Sequence, residues 1–295
     1  MAAKYIFFSQ KTGKYARITY SISENESDLL IMGSSHAIRH FIPEIFEKKL
    51  NITCYNSGVQ GQKIIFHTAL QRMILKRYTP KTIILNIDPE WMYTSDEAYE
   101  TLADFYPYYW NNRDELHSIL SIKSEFIDFP LMLNSYQMNS TIVHAARYFF
   151  VPQNDDKGYL PLYEKMDKNK ISKTDINTKN KTAEQGSVFD LNFITAFEEF
   201  IKNAKKNNIG LYFVISPWVN RDDLVTEPSM KKMISIADQY TIKILDYSKN
   251  KLFLNKFELF YDPGHLNNDG AVLFSNLIAE ELIKETDSSH TKTSN

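Results

Sequence analysis

Five short runs of consecutive apolar residues constrain this chain more than any other feature: DLLIMG at 28–33, ITCY at 52–55, KTIILNI at 81–87, GLYFVIS at 210–216 and IKILDY at 242–247. A strand with one wet face alternates apolar and polar residues, whereas a strand covered on both faces reads as an unbroken apolar run. The stretches between the runs have a different period. Ile65, Ala69 and Met73 step by four, with Leu70 and Ile74 beside them. Phe193, Phe197, Phe200, Ile201 and Ala204 form a stripe, as do Met230, Met233, Ile234 and Ala237. A last helical row combines Leu273 and Leu277 with Phe274, Ile278 and Leu282, and Pro43 suits the first turn of another helix. Strand alternating with helix predicts an α/β protein, a parallel sheet with helices on both faces. Right-handed crossovers then bring every strand's C-terminal end to one edge, where open α/β sheets bind ligands.

The third and fourth runs are separated by far more than one helix, so residues 89–186 are expected to be an insertion leaving from the ligand edge. Its first part is aromatic-rich, ETLADFYPYYWNNRDEL, and then helical. Its second part, VPQNDDKGYLPLYEKMDKNKISKTDINTKNKTAEQG, is polar with little periodicity and reads as a mobile loop, a lid that would carry Tyr159. Residues 1–27 form an N-terminal extension, 28–88 together with 187–284 form the sheet domain, and 285–295 are expected to be a solvated, disordered tail.

A net charge of −2 gives no electrostatic case for nucleic acid or an anionic membrane as partner. No run of 18 apolar residues exists, so no membrane span is expected. The opening MAAKYIFFSQKTGKY is too short an apolar segment for a signal peptide with its cleavage site. An extracytoplasmic or membrane-associated location is the expectation only in the case that a leader has been trimmed from this end. The one cysteine, Cys54, excludes an internal disulfide and a cysteine-rich zinc site. His36 and His40 are spaced like metal ligands but lack a third, and HLNNDG lacks the glutamate a calcium loop needs, so no metal or other cofactor is expected.

The chemistry lies at two distant places. The first run ends in Gly33-Ser34-Ser35-His36, and the fifth is followed by LFYDPGHLNNDG, with Asp262 and His265 three apart before the last helix. In a parallel sheet both stand on one edge. A serine hydroxyl is a poor nucleophile until an imidazole takes its proton, and a carboxylate on the other ring nitrogen fixes the tautomer that can do so. Ser35, His265 and Asp262 supply these parts. Adjacent residues on a turn point different ways, so His36 is expected to be structural or pocket-lining rather than the base. Attack on a carbonyl also needs donors for the oxyanion: the backbone N–H of Ser35 and an N–H of NSGVQGQ after the second run are candidates.

These blocks resemble the SGNH hydrolase superfamily, the GDSL-like lipases and esterases. Gly33-Ser34-Ser35 stands where that family has Gly-Asp-Ser, and Asp262-Pro263-Gly264-His265 matches its last block. Asn56 to Gly61 matches its Asn-x-x-x-x-Gly block, which makes Gly61 rather than Gly58 the expected oxyanion donor. The chain departs from the third block, Gly-x-Asn-Asp: LNIDPEWMY has Asn86 inside the expected strand, with Asp88 or Glu90 nearer the position. A carboxylate donates no hydrogen bond unless protonated, and losing one oxyanion donor typically lowers the rate by about 100–1,000-fold. The resemblance implies a flavodoxin-like, three-layer α/β/α sandwich with five parallel strands in the order 2-1-3-4-5. It further implies a serine esterase or O-acyltransferase acting on a small acyl ester, O-acetyl above all, of a glycan such as a cell-surface polysaccharide. Asp88, Trp91, Tyr159 and Trp218 join His36 as expected pocket residues. The competing expectation is a degenerate member that binds a glycan or protein partner without turnover. The nucleophile elbow of α/β-hydrolases does not fit, because there the serine follows several strands and the acid lies far from the histidine.

Overall fold

The computed structural model describes residues 2–133, 136–137, 142–167, 188–221 and 223–292. Two helices, α1 (Ala2–Phe8) and α2 (Lys14–Ser23), precede strand β1 (Leu29–Met32). Helices α3 (Ser35–His40) and α4 (Pro43–Leu50) lead to β2 (Cys54–Asn56), and α5 (Ile64–Leu75) to β3 (Thr82–Asn86). The insertion carries α6 (Asp96–Glu100), a 3₁₀ stretch over Thr101–Asn111, α7 (Arg113–Leu120), α8 (Asp128–Leu131) and α9 (Ile142–Phe150). The chain returns through α10 (Leu191–Lys206), β4 (Gly210–Ile215), α11 (Pro228–Gln239), β5 (Lys243–Asp246) and α12 (Asn268–Lys292).

The strands form one sheet in the order β2-β1-β3-β4-β5, every pairing parallel, as the sequence predicts. Leu30 lies opposite Tyr55 and Ile83, and Leu85 opposite Phe213. Because successive side chains leave a strand on opposite faces, the unbroken apolar runs feed two cores. Leu30, Met32, Ile83, Leu85 and Phe213 pack with Ile65 and Met73 of α5, Phe193 and Phe197 of α10 and Met233 of α11. Leu29, Ile31, Ile84 and Val214 pack on the other face with Phe46 of α4 and with Phe274 and Ile278 of α12.

The helical part of the insertion packs into the helix layer: Phe105 stacks on Phe66 of α5 with ring centroids 4.2 Å apart, and Tyr109, Leu116 and Ile119 join the same core. Pro107 lies inside the Thr101–Asn111 stretch, and a proline has no N–H for an i→i−4 ladder, which suits the tighter 3₁₀ turn. The part of the polar loop that is described is strapped down. Lys157 O accepts from Asn56 N at 2.9 Å, Leu160 N donates to Ile38 O at 2.9 Å, and Asn268 N donates to Leu162 O. Gly158 permits this approach, since its φ is +89° and a Cβ there would lie 1.8 Å from Asn56 O. Residues 168–187, the rest of that loop, lie outside the described residues. Helix α12 continues to Lys292, through most of the stretch read as a tail. Its Leu273, Phe274, Ile278 and Leu282 row is the part that packs on the sheet.

Candidate active site

Strand β1 turns into α3 at Gly33, whose φ is +135° and whose Cβ, were there one, would lie 2.7 Å from Asn86 O. Only glycine fits that conformation and that gap. The turn makes Ser34 the residue before the helix and Ser35 its first residue. The N–H of Ser35 is therefore one of the donors that a helix's first turn leaves without an intrahelical acceptor.

The turn after β2 is built on Asn56. Its buried amide donates to Ala37 O at 2.7 Å and Phe41 O at 2.9 Å, tying β2 to α3, and its oxygen accepts from Gly58 N at 3.0 Å. Gly58 has thus already spent its N–H. Gly61, with φ +77° and open space on its Cβ side, has no acceptor for its N–H among the described residues.

The segment before α12 closes on itself. Phe260 and Leu266 form an antiparallel bridge, and Tyr261 N donates to His265 O at 2.8 Å. Within this loop Asp262 Oδ1 accepts from the backbone N–H groups of Gly264 and His265, both at 2.9 Å. Its Oδ2 lies 2.8 Å from His265 Nδ1. Burial would raise the Asp262 pKa, but the contact with His265 and the two backbone donors outweigh it and hold the carboxyl well below its ordinary range. The ionised carboxylate keeps a proton on Nδ1 and leaves Nε2 as the acceptor. Ser35 Oγ is 2.8 Å from that Nε2. The structure thus brings together Ser35, His265 and Asp262, separated by 230 positions along the chain.

A second imidazole lies against the first. The ring of His36 is stacked on that of His265, centroids 5.1 Å apart at 20°, and faces Trp218 at 5.3 Å. His36 Nδ1 stands 2.6 Å from Asp88 Oδ1. Asp88 also accepts from the hydroxyl of Ser34 and, at 3.0 Å, from the amide of Asn86. Burial opposes its ionisation, yet His36, Ser34 and the more distant His265 reverse this and hold its pKa below the usual value. So the two adjacent serines differ: Ser34 donates a hydrogen bond to a carboxylate, Ser35 faces a base. His40 accepts the Leu266 N–H at Nε2, 3.0 Å away, and so braces the loop that carries His265.

Beside these rings a cavity of about 290 Å³ is lined by Ser34, His36, Gly61, Asp88, Trp91 and Trp218, among others. Four of the expected pocket residues, His36, Asp88, Trp91 and Trp218, therefore do line it. Tyr159 does not. It is buried with Ile42 and Ala271 and donates to Asn268 Oδ1 at 3.1 Å, because the strap holding it runs along α3 and α12. Two lining residues escaped the sequence reading. Lys63 donates to the carbonyls of Glu90 and Tyr93, both at 2.9 Å, and so shapes the turn after β3. Arg221 lies over Trp218 at 5.2 Å and pairs with Asp223. The partners of Lys63 are set by the fold, whereas those of Arg221, Trp218 and Asp223, are its neighbours in sequence. Among the described residues no group of three or more His, Cys, Asp or Glu could hold a metal ion, and no helix is long and apolar enough to cross a membrane.

No protein-family model matches the chain, and no curated protein matches it. Solved structures similar to it include a protein assigned to the G-D-S-L lipolytic family from Desulfitobacterium hafniense DCB-2. It is 10% identical, with 85% of this chain and 97% of that one covered and a TM-score of 0.43. An acetyl xylan esterase is 11% identical, covering 87% and 98%, at a TM-score of 0.40. A catalytic mutant of an acetylxylan esterase from Geobacillus stearothermophilus is 9% identical, covering 86% and 92%, at 0.41.

Proposed function

We propose that the protein is a serine esterase or O-acyltransferase that works through an acyl-serine intermediate. One observation carries this reading: Ser35 Oγ, His265 Nε2, His265 Nδ1 and Asp262 Oδ2 form a continuous chain with both contacts at 2.8 Å. In the forward step Ser35 Oγ attacks the ester carbonyl carbon while its proton passes to His265 Nε2. Asp262 keeps the Nδ1 proton in place and stabilises the imidazolium that results. The developing oxyanion is met by the backbone N–H groups of Ser35 and Gly61. Collapse breaks the ester C–O bond, the leaving alcohol takes the proton from His265, and the acyl group remains on Ser35. Water or a second hydroxyl, deprotonated by His265, then releases it; water makes the reaction hydrolysis, a sugar hydroxyl makes it transfer. Every step uses side chains and backbone alone, with no metal or organic cofactor.

The cavity of about 290 Å³ between Trp91 and Trp218 suits a small acyl group. An O-acetyl or similar ester of a glycan is the substrate class that the motif resemblance implies. A second reading, a binding protein without turnover, is favoured by Asp88: an ionised carboxylate stands after β3 where an oxyanion donor would be useful, and it donates nothing. The deciding experiment treats the purified protein with a fluorophosphonate and reads its intact mass. One adduct, absent from Ser35→Ala and His265→Ala, is the expected result; an unmodified wild-type protein would favour the binding reading.

A further inference from the structure

Asp88 has no part in the chain from Ser35 to Asp262, yet it sits one imidazole away from the base. Its oxygens accept hydrogen bonds from Ser34 and Asn86 and stand 2.6 Å from His36 Nδ1, residues of the β1–α3 turn, β3 and α3. The protonation of the rings follows from their partners. A carboxylate 2.6 Å from His36 Nδ1 requires a proton on that nitrogen. Among the described residues His36 Nε2 is buried with no hydrogen-bond partner. A second proton there would bury an unpaired N–H and set a cation against the ring that must itself become charged. With Asp88 at His36 Nδ1, the carboxylate lies one ring away from His265. His40 is neutral, because burial lowers its pKa and its Nε2 already accepts a backbone N–H. Two carboxylates serve His265: Asp262 at its Nδ1, and Asp88 across the stacked His36 ring. Further out stand Arg39, which donates to Leu160 O, and Arg221, held by Asp223.

We propose that Asp88 is a second carboxylate serving His265, a positioning residue that fixes the stacked His36 ring and favours the imidazolium formed when Ser35 attacks. The inference rests on the acyl-transfer reading for its purpose, but its electrostatic content can be tested without turnover. Ser34 then has a task of its own, orienting Asp88, which explains a serine that faces no base.

The test is the titration of His265, read in two ways. Proton–nitrogen correlations of its ring by NMR give its pKa directly. The pH profile of Ser35 modification by a fluorophosphonate, followed by intact mass, gives its basicity in the reaction. In Asp88→Asn, which keeps the shape and removes the charge, His265 should titrate about one pH unit lower than in the wild type. The ascending limb of the labelling profile should move to lower pH with it. The limb rather than the plateau carries the test, because an amide at position 88 also adds a donor beside the oxyanion. If Asp88→Asn does not fold, His36→Lys, which neutralises Asp88 without removing it, should move the titration the same way. Labelling of the wild type with an unmoved His265 titration in the folded variant would overturn the role of Asp88 and leave acyl transfer standing. A shifted titration in a protein that no fluorophosphonate labels would support the electrostatic link and overturn the acyl-transfer reading instead.

Discussion

His265 and His36 lie one on the other, and each has an aspartate at Nδ1, at 2.8 and 2.6 Å. They differ at the other nitrogen. His265 Nε2 meets Ser35, whereas His36 Nε2 has no hydrogen-bond partner among the described residues. The same contrast runs through the serines: Ser35 faces a ring nitrogen that can take its proton, and Ser34 faces a carboxylate whose depressed pKa means it does not. An imidazole with a carboxylate behind it is thus not yet a base; the group on its far side decides. Two further rings extend the series. His40 uses Nε2 for a backbone amide, and His67 is fully buried and stacked on Trp91 at 5.5 Å.

Substitutions along this series separate the roles. Ser35→Ala and His265→Ala should reduce modification or turnover by a factor on the order of 10⁴ or more, since members of such a chain act as a unit. Intact-mass kinetics on folded variants would read this, and labelling that persists in His265→Ala would erase the distinction between the two rings. Asp262→Asn should come next, at about 10³–10⁴, because the amide no longer fixes the tautomer that leaves Nε2 free. His40→Phe should cost about 1–3 kcal/mol by orphaning the Leu266 N–H. A thermal melt should therefore fall by several degrees, and the rate by far less than in Asp262→Asn. Unchanged melting would mean that the loop is braced elsewhere. His67→Phe should leave the rate untouched, but its stability should depend on pH. Burial lowers the His67 pKa from its ordinary 6.5 to about 4. The unfolded chain therefore binds the proton first, and the wild type loses stability as pH falls from about 6.5 towards 4. The phenylalanine variant escapes that loss, so its urea midpoint relative to wild type should rise across this window and not above it.

Much of this arrangement could be read from the chain. The unbroken apolar runs report strands covered on both faces, and parallel strands force their ends to one edge. Ser35 and the Asp262–His265 loop, each at the end of a run, then have to be neighbours. The family resemblance favours Gly61 over Gly58 as an oxyanion donor, and the structure shows Gly58 N already bonded to Asn56. What could not be read is whatever depends on a partner across the sheet. Nothing local marks Asp88 as the hub of Ser34, Asn86 and His36. Tyr159 looked like part of a lid because its segment is polar and aperiodic. Strapping by backbone hydrogen bonds to Ile38, Asn56 and Asn268 leaves no trace in hydrophobic periodicity. The aromatics of FYPYYW are core, as such clusters usually are, with Phe105 buried against Phe66.

The strap over β2 has a consequence for how the molecule meets copies of itself. A short outer strand of a parallel sheet offers unpaired N–H groups to any passing chain, and such edges seed aggregation. Here Cys54 N is taken by Glu47 Oε1 at 3.1 Å and Asn56 N by Lys157 O at 2.9 Å, with Lys157 and Glu47 paired to each other. Gly158 lies so close to the Asn56 carbonyl that a newcomer could not slide between them. Replacing Gly158 by any residue with a Cβ would lift the strap and reopen that edge, so its first symptom should be self-association rather than loss of activity.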